Sequence, residues 1–157
     1  TESGVVTETE TALKALHDIA ALGVRLSVDD FGTGYATLKQ LQQLPVHEMK
    51  VDRSFVSDMT NNRGSESIVR ATIDLGRQLG LSVVAEGVES VAQMRALAAL
   101  GCTEIQGYFV AKPLRESNVI EWIRSRHMLY ETSPAAYFEM LTAQQGAEAA
   151  RGAALHS

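Results

Sequence analysis

Val24-Arg25-Leu26-Ser27-Val28-Asp29-Asp30-Phe31-Gly32-Thr33-Gly34-Tyr35 is the stretch on which the fold turns. Apolar residues alternate through Val24, Leu26 and Val28, as on a strand with one buried face. Two adjacent carboxylates follow at once, and then a glycine-containing turn. This is the layout of a strand that delivers acids to the rim of a sheet. Neighbouring carboxylates repel unless positive charge lies between them, and a divalent cation is the usual answer. Gly32 and Gly34 let the backbone bend sharply and approach a ligand closely. The alternative is a solvated turn with two surface acids. Polar groups at three further strand ends weigh against it.

Outward from this stretch the pattern alternates helix and strand. The spacing predicts helices over 6–22, 36–44, 66–79, 91–100 and 116–129. Strands are predicted over 24–30, 48–52, 81–86 and 104–109. Leu13, Leu16 and Ala20 share a face of the first helix. Val69, Ile73 and Gly76 form the buried face of the third, and Met94, Leu97 and Ala98 that of the fourth. Val119, Ile120 and Ile123 do the same in the last. Asn61 to Gly64 reads as a turn-rich loop. Leu-Gly recurs at three helix ends, at Leu22-Gly23, Leu79-Gly80 and Leu100-Gly101, where glycine suits a left-handed cap. Helix–strand alternation with crossovers implies parallel strands.

The strands carry one apolar face (Leu26, Val28, Met49, Val51, Val83, Ala85, Ile105). The other is polar (Ser27, Asp29, Glu48, Lys50, Ser82, Glu86, Glu104, Gln106). A doubly wound sheet, covered on both faces, would be apolar throughout. One greasy and one polar face fits part of a β/α barrel whose interior turns polar near the catalytic rim. The fold class is therefore α/β, with four strands of a barrel that has eight when intact.

The 157 residues allow one ordinary core. Net charge is −5, which gives no basic field for nonspecific binding of nucleic-acid polymers. A phosphate ligand would need local positive charge, from a metal or from single residues such as Lys50 or Arg53. Cys102 is the single cysteine, so there is no intrachain disulfide and no cysteine-based zinc site. No apolar run approaches the roughly 18 residues of a membrane span, and no signal peptide is visible. A cytoplasmic location is expected, with membrane anchoring of a longer parent left open. The chain starts at Thr1 without an initiator Met and reads as a fragment or processed piece. Residues 1–129 form the patterned unit. Residues 130–157 read as a tail or marginal helix, with Phe138, Met140 and Leu141 as its apolar part.

The strand ends supply Asp29 and Asp30, then Lys50 and Asp52, then Glu86 and Glu89, then Gln106. In a parallel barrel these ends converge on one rim. Two metals about 4 Å apart there could bind a phosphate, activate water and stabilise the leaving oxygen. Lys50 could orient the water or neutralise charge; its bland alternative is a structural ion pair with a nearby Asp. Glu86, after an apolar run, is costly to bury unless paired or metal-bound. It could be ligand or general base. Glu89 could act at the site or sit in the cap region before the next helix. Gln106 can donate and accept, which suits a nucleotide edge as well as a structural role. The four histidines show no ligand spacing and read as surface residues. Trp122 reads as core.

Together these residues resemble the EAL-domain family of cyclic di-GMP phosphodiesterases. The matching segments are Thr1-Glu2-Ser3, Asp29-Asp30-Phe31-Gly32-Thr33-Gly34-Tyr35, Lys50-Val51-Asp52-Arg53-Ser54-Phe55-Val56, Ala85-Glu86-Gly87-Val88-Glu89, and Gln106-Gly107-Tyr108 with Lys112-Pro113-Leu114. They cover about Thr1 to Arg126 in the family's order. The resemblance implies the C-terminal half of a modified TIM-like (β/α)8 barrel. It also implies Mg²⁺- or Mn²⁺-dependent cleavage, with two ions, of cyclic di-GMP to linear pGpG in bacterial second-messenger signalling. By resemblance, Asp29 bridges the metals, Asp30 binds the second, Lys50 holds the water, and Glu86 is base or ligand. Glu89, Gln106 and Asp52 support the site, and Glu2 braces the loop from Phe31 to Tyr35. The family also implies a homodimer and an upstream sensor or GGDEF-type domain.

The Glu-Ala-Leu motif, the asparagine ligand and the first glutamate of Glu-x-Thr-Glu are absent from these 157 residues. By the family's order they would precede Thr1. Ala36-Thr37 stands where Ser-Ser is usual, a mild change. The isolated chain is therefore expected to be inactive, and the complete domain to hydrolyse the cyclic dinucleotide. A catalytically silent sensor of the same ligand is the alternative. A third, from the strand pattern alone, is an enolase-like barrel with Lys50 as base, which the Gln106-Gly107-Tyr108 match argues against.

Overall fold

The computed structural model describes residues 2–33 and 38–132. Helix α1 (Glu2–Ala21) leads to β1 (Ser27–Phe31), α2 (Leu38–Gln43) and β2 (Glu48–Val51). Then come α3 (Arg53–Asp58), α4 (Arg63–Leu79), β3 (Ser82–Ala85), α5 (Val91–Ala99), β4 (Glu104–Ile105) and α6 (Glu116–Thr132). The strands form one parallel sheet in the order β1-β2-β3-β4. Each new strand adds beside the previous one and the order never reverses. That is barrel progression, whereas a doubly wound sheet has a switch point.

The core lies on the helix side of β2 and β3. Val51, Val83 and Ala85 pack with Val56 and Met59 after β2, with Val69 and Ile73 of α4, and with Met94 and Leu97 of α5. Met49, Val51, Val56, Val69, Ala85, Val88 and Leu97 have no exposed surface. At Gly76 a Cβ would lie 2.2 Å from Val83 Cγ2, so the missing side chain lets α4 settle onto β3. Helix α4 is closed at both ends. The Asn62 side chain accepts from Gly64 N–H at 2.8 Å, and Gly80 (φ 71°) turns the chain left-handed. In α1 the half-buried positions include Leu13, Leu16 and Ala20, the predicted face.

Several expectations are corrected. Helix α1 reaches back to Glu2. Asn61 is a turn as expected, but Asn62 caps α4 and Arg63 and Gly64 already belong to that helix. Arg53 to Asp58 is a helix that went unread, because six residues are too few to show a period. Strand β4 is two residues long. Backbone pairing continues briefly past it (Gln106 N–H to Ala85 O, 2.9 Å), and Gly107 then turns the chain at φ 154°. Ala98 is exposed, as are Ile120 and Ile123. Val84 is buried on the polar face, beside Lys50 in register, so that face is not wholly polar. His47 is at the surface, as expected, and its Nδ1 accepts from Leu26 N–H at 3.3 Å. Phe138, Met140 and Leu141 of the expected tail or marginal helix, and the loop at Gly34 and Tyr35, lie outside the described residues. Among the described residues no helix is long and apolar enough to cross a membrane.

Candidate metal and phosphate site

Parallel strands end on the same side, so β1, β2 and β3 bring Asp29, Lys50 and Glu86 together. Asp30 joins them through an irregularity. In a regular strand successive side chains point to opposite faces, and Asp29 and Asp30 would part. The register instead shifts between Val28 and Phe31, and Asp30 adopts φ 50°. Aspartate tolerates this left-handed conformation better than most residues, and such bulges re-aim side chains at strand ends. As a result Asp29, Asp30 and Glu86 each offer a carboxylate oxygen within 4.8 Å of the others.

Lys50 threads this cluster. Its Nζ donates to Asp29 Oδ1 at 2.9 Å and pairs with Glu86 Oε1. The bonds to Glu86 and then Asp29 raise its pKa well above the usual lysine range, against the opposing effect of burial. It is a fixed cation at neutral pH. Its two carboxylate partners favour the charged ammonium, which weighs against Lys50 as the base of an enolase-like barrel.

Asp52 plays a local part. It caps α3, accepting from Ser54 N–H at 2.8 Å and from the Ser54 hydroxyl. These bonds hold its carboxyl below the usual range. Asp30 is shifted up, first by a hydrogen bond to Asp52, then by burial and the negative charge of Asp29.

Glu89 and Gln106 line a neighbouring cleft of about 250 Å³ with Arg53, Glu86, Gly87, Gly107 and Tyr108. Glu89 Oε1 accepts from Arg53 Nη2 at 2.7 Å. The cap of α5 is Ser90, in a reciprocal box with Gln93, and Glu89 lies in that cap region, its N–H donating to Gln93 Oε1 at 2.8 Å. Gly107 must be glycine, because a Cβ there would lie 2.2 Å from Val88 O. Glu2 begins α1, and its side chain lies outside those described.

Two contributors were missed. Arg53 was weighed only as a free cation, though an acid three residues past Glu86 was available to pair with it. Gln93 was not singled out at all, although Ser90-Val91-Ala92-Gln93 carries the capping-box spacing.

The sequence matches the EAL domain family over residues 1–113. The chain belongs to the EAL family. It is 42% identical over 114 residues to the bifunctional diguanylate cyclase/cyclic di-GMP phosphodiesterase MucR of Pseudomonas aeruginosa, a match covering 73% of this chain and 17% of MucR. The solved MucR phosphodiesterase in complex with cyclic di-GMP superposes with a TM-score of 0.67 at 40% identity, over 71% of this chain and 45% of that one. The manganese and cyclic di-GMP complex of BlrP1 from Klebsiella pneumoniae superposes with a TM-score of 0.56 at 34% identity, over 60% of this chain and 24% of that one. The chain thus spans about a sixth of MucR and less than half of its solved phosphodiesterase. The parallel sheet is accordingly part of a TIM-like barrel.

Proposed function

We propose that this EAL chain supplies one side of the active site of a cyclic di-GMP phosphodiesterase, which opens the ring to linear pGpG. Water oxygen adds to phosphorus, the phosphorus–O3′ bond breaks, and the 3′-oxygen leaves with a proton. The observation that carries the reading is the convergence of Asp29, Asp30 and Glu86 around Lys50 at the strand-end rim.

The donor set fits a hard divalent cation. It is all oxygen, it carries several negative charges, and it lacks the nitrogen and sulfur donors that suit softer metals. Asp29, Asp30 and Glu86 would hold Mg²⁺ or Mn²⁺. Bound there, such ions polarise phosphoryl oxygen and acidify water. Lys50, protonated throughout, holds Asp29 and Glu86 in place and offers positive charge to the phosphate. The cleft at Gln106 and Tyr108 lies beside the acids, where it can orient the dinucleotide.

Water can complete the shell of one ion held by these three carboxylates, but a pair of ions would draw on further donors. The 157-residue chain is therefore expected to be silent alone. The test measures cyclic di-GMP hydrolysis with Mg²⁺ or Mn²⁺. It compares the isolated chain with the same residues joined to the preceding half of the MucR phosphodiesterase, with and without Asp29→Asn. Turnover by the joined protein only, abolished by Asp29→Asn, supports the reading. Ligand binding without turnover in the joined protein replaces it with the sensor. Turnover at family-like rates by the isolated chain contradicts the expected silence.

A further inference from the structure

Residues 86–90 follow β3 and carry Glu86 into the acid cluster, yet the segment has no secondary structure of its own. Helix α3 holds it at two points. On the outer side, Arg53 Nη2 reaches Glu89 Oε1 at 2.7 Å. Between those ends the Arg53 stem lies flat against Gly87, where a Cβ would fall 2.2 Å from Arg53 Cγ. On the inner side is Gln93, a polar residue only 8% exposed. Its Oε1 accepts from Glu89 N–H at 2.8 Å and Ser90 N–H at 2.9 Å, and its Nε2 donates to Ser57 O at 3.3 Å.

Capping α5 explains the Oε1 bonds. It does not explain the Nε2 bond, which crosses to another helix 36 residues away in sequence. Nor does helix stability explain the Arg53 pair, since an exposed ion pair contributes only about 0–1 kcal/mol. Both contacts make sense for a segment whose first residue must be held still. Helix α3 starts directly after Lys50, Val51 and Asp52, so the element that grips the loop also continues the strand that supplies Lys50.

We propose that Gln93 and Arg53 are positioning residues which clamp the 87–90 loop to α3 and so fix the Glu86 carboxylate against Lys50. Neither touches the reacting atoms. The inference rests on the reading of Glu86 as part of a cation site.

The test uses the full chain and two readouts. One is amide hydrogen exchange at residues 87–90. The other is Mn²⁺ affinity, measured by calorimetry. Gln93→Glu is the informative variant. Its carboxylate still accepts from Glu89 and Ser90 and keeps the capping box, but it cannot donate to Ser57 O. Gln93→Glu and Arg53→Ala should each speed exchange across 87–90 and weaken Mn²⁺ binding by about 10-fold, the lower end of losses seen when support behind metal ligands is removed. Arg53→Lys should restore part of the affinity, because an ammonium still reaches Glu89. Wild-type exchange and affinity in both Gln93→Glu and Arg53→Ala would overturn the clamp and leave Gln93 as a helix cap. Should Gln93→Glu fail to fold by circular dichroism, the exposed Arg53→Ala and Arg53→Lys pair decides alone. Asp29→Asn serves as the control. Unchanged Mn²⁺ affinity in that variant would remove the cation site itself, while exchange at 87–90 would still report on the clamp.

Discussion

Helices α4 and α6 have the same length, 17 residues, and each opens with a glutamate in its first turn. Their fates differ. Helix α4 buries Val69, Thr72, Ile73 and Gly76, which recur three or four residues apart as a single stripe. Helix α6 leaves Ile120 62% and Ile123 52% exposed, with Val119 and Trp122 half-buried. Position in the topology makes the difference. Helix α4 crosses between two strands that pair with each other, so its apolar stripe has a sheet to cover. Helix α6 follows β4, beyond which the described residues hold no further strand. An apolar stripe announces a helix, but the surface it covers is set by its neighbours.

The contrast can be broken most forcefully at Ile73. It is 2% exposed within the core cluster. Ile73→Ala should cost about 2–5 kcal/mol from lost burial and the cavity left behind, read as a lower urea midpoint of the full chain. Gly76→Ala tests the same helix from the other direction. The new methyl would overlap Val83, a β-branched side chain with little freedom to turn away. The expected loss is about 1–3 kcal/mol from overpacking, and an unchanged midpoint would show that α4 does not sit on β3 as described.

Cys102 probes the neighbouring layer. Burial pushes its thiol pKa up, and its sulfur lies 3.5 Å from Val83 O and 3.2 Å from Glu104 O. A raised pKa means less thiolate at a given pH. Iodoacetamide should therefore modify the native chain several-fold more slowly than the urea-unfolded chain at pH 8. The stabilisation linked to the protonated thiol is present below its unfolded pKa and is lost as pH rises through the folded one. Equal rates in the two states would place Cys102 in open solvent. The smallest effect belongs to α6, where Ile120→Ser and Ile123→Ser should each shift stability by no more than about 0.5 kcal/mol. A loss comparable to that of Ile73→Ala would show that the α6 face is covered.

Much of this was readable from residues alone, for specific reasons. Strand alternation placed Asp29, Lys50 and Glu86 on one face, and parallel strands brought their ends together. The α4 stripe was legible because Val69, Ile73 and Gly76 repeat over several turns, whereas the buried Thr72 is polar and gave no such signal. Helix α3 was not legible, since its six residues give no period. Nor was the end of β4 at Ile105, because Gly107 acts by close approach to Val88, a contact between segments distant in sequence. Asp30 was recognised as a candidate ligand. Its route into the cluster depends on a shifted register that no local pattern records. Gln93 shows the limit most clearly. Its box with Ser90 is local and readable, but its other partner is the backbone carbonyl of Ser57, and a carbonyl carries no residue-type signal.

Lys50 has a consequence for the order of events in the molecule's life. Carboxylates crowded on a rim would normally push apart until an ion arrived, and the site would then exist only when loaded. Here an ammonium built into β2 acts as a resident placeholder, bound to Asp29 and Glu86 at once. On the proposed reading, folding and cation loading would be separate steps, unlike in small zinc domains whose structure waits on the metal. A newly made chain would hold its mould ready, and a cation would join a rim already set by Lys50 rather than assemble it.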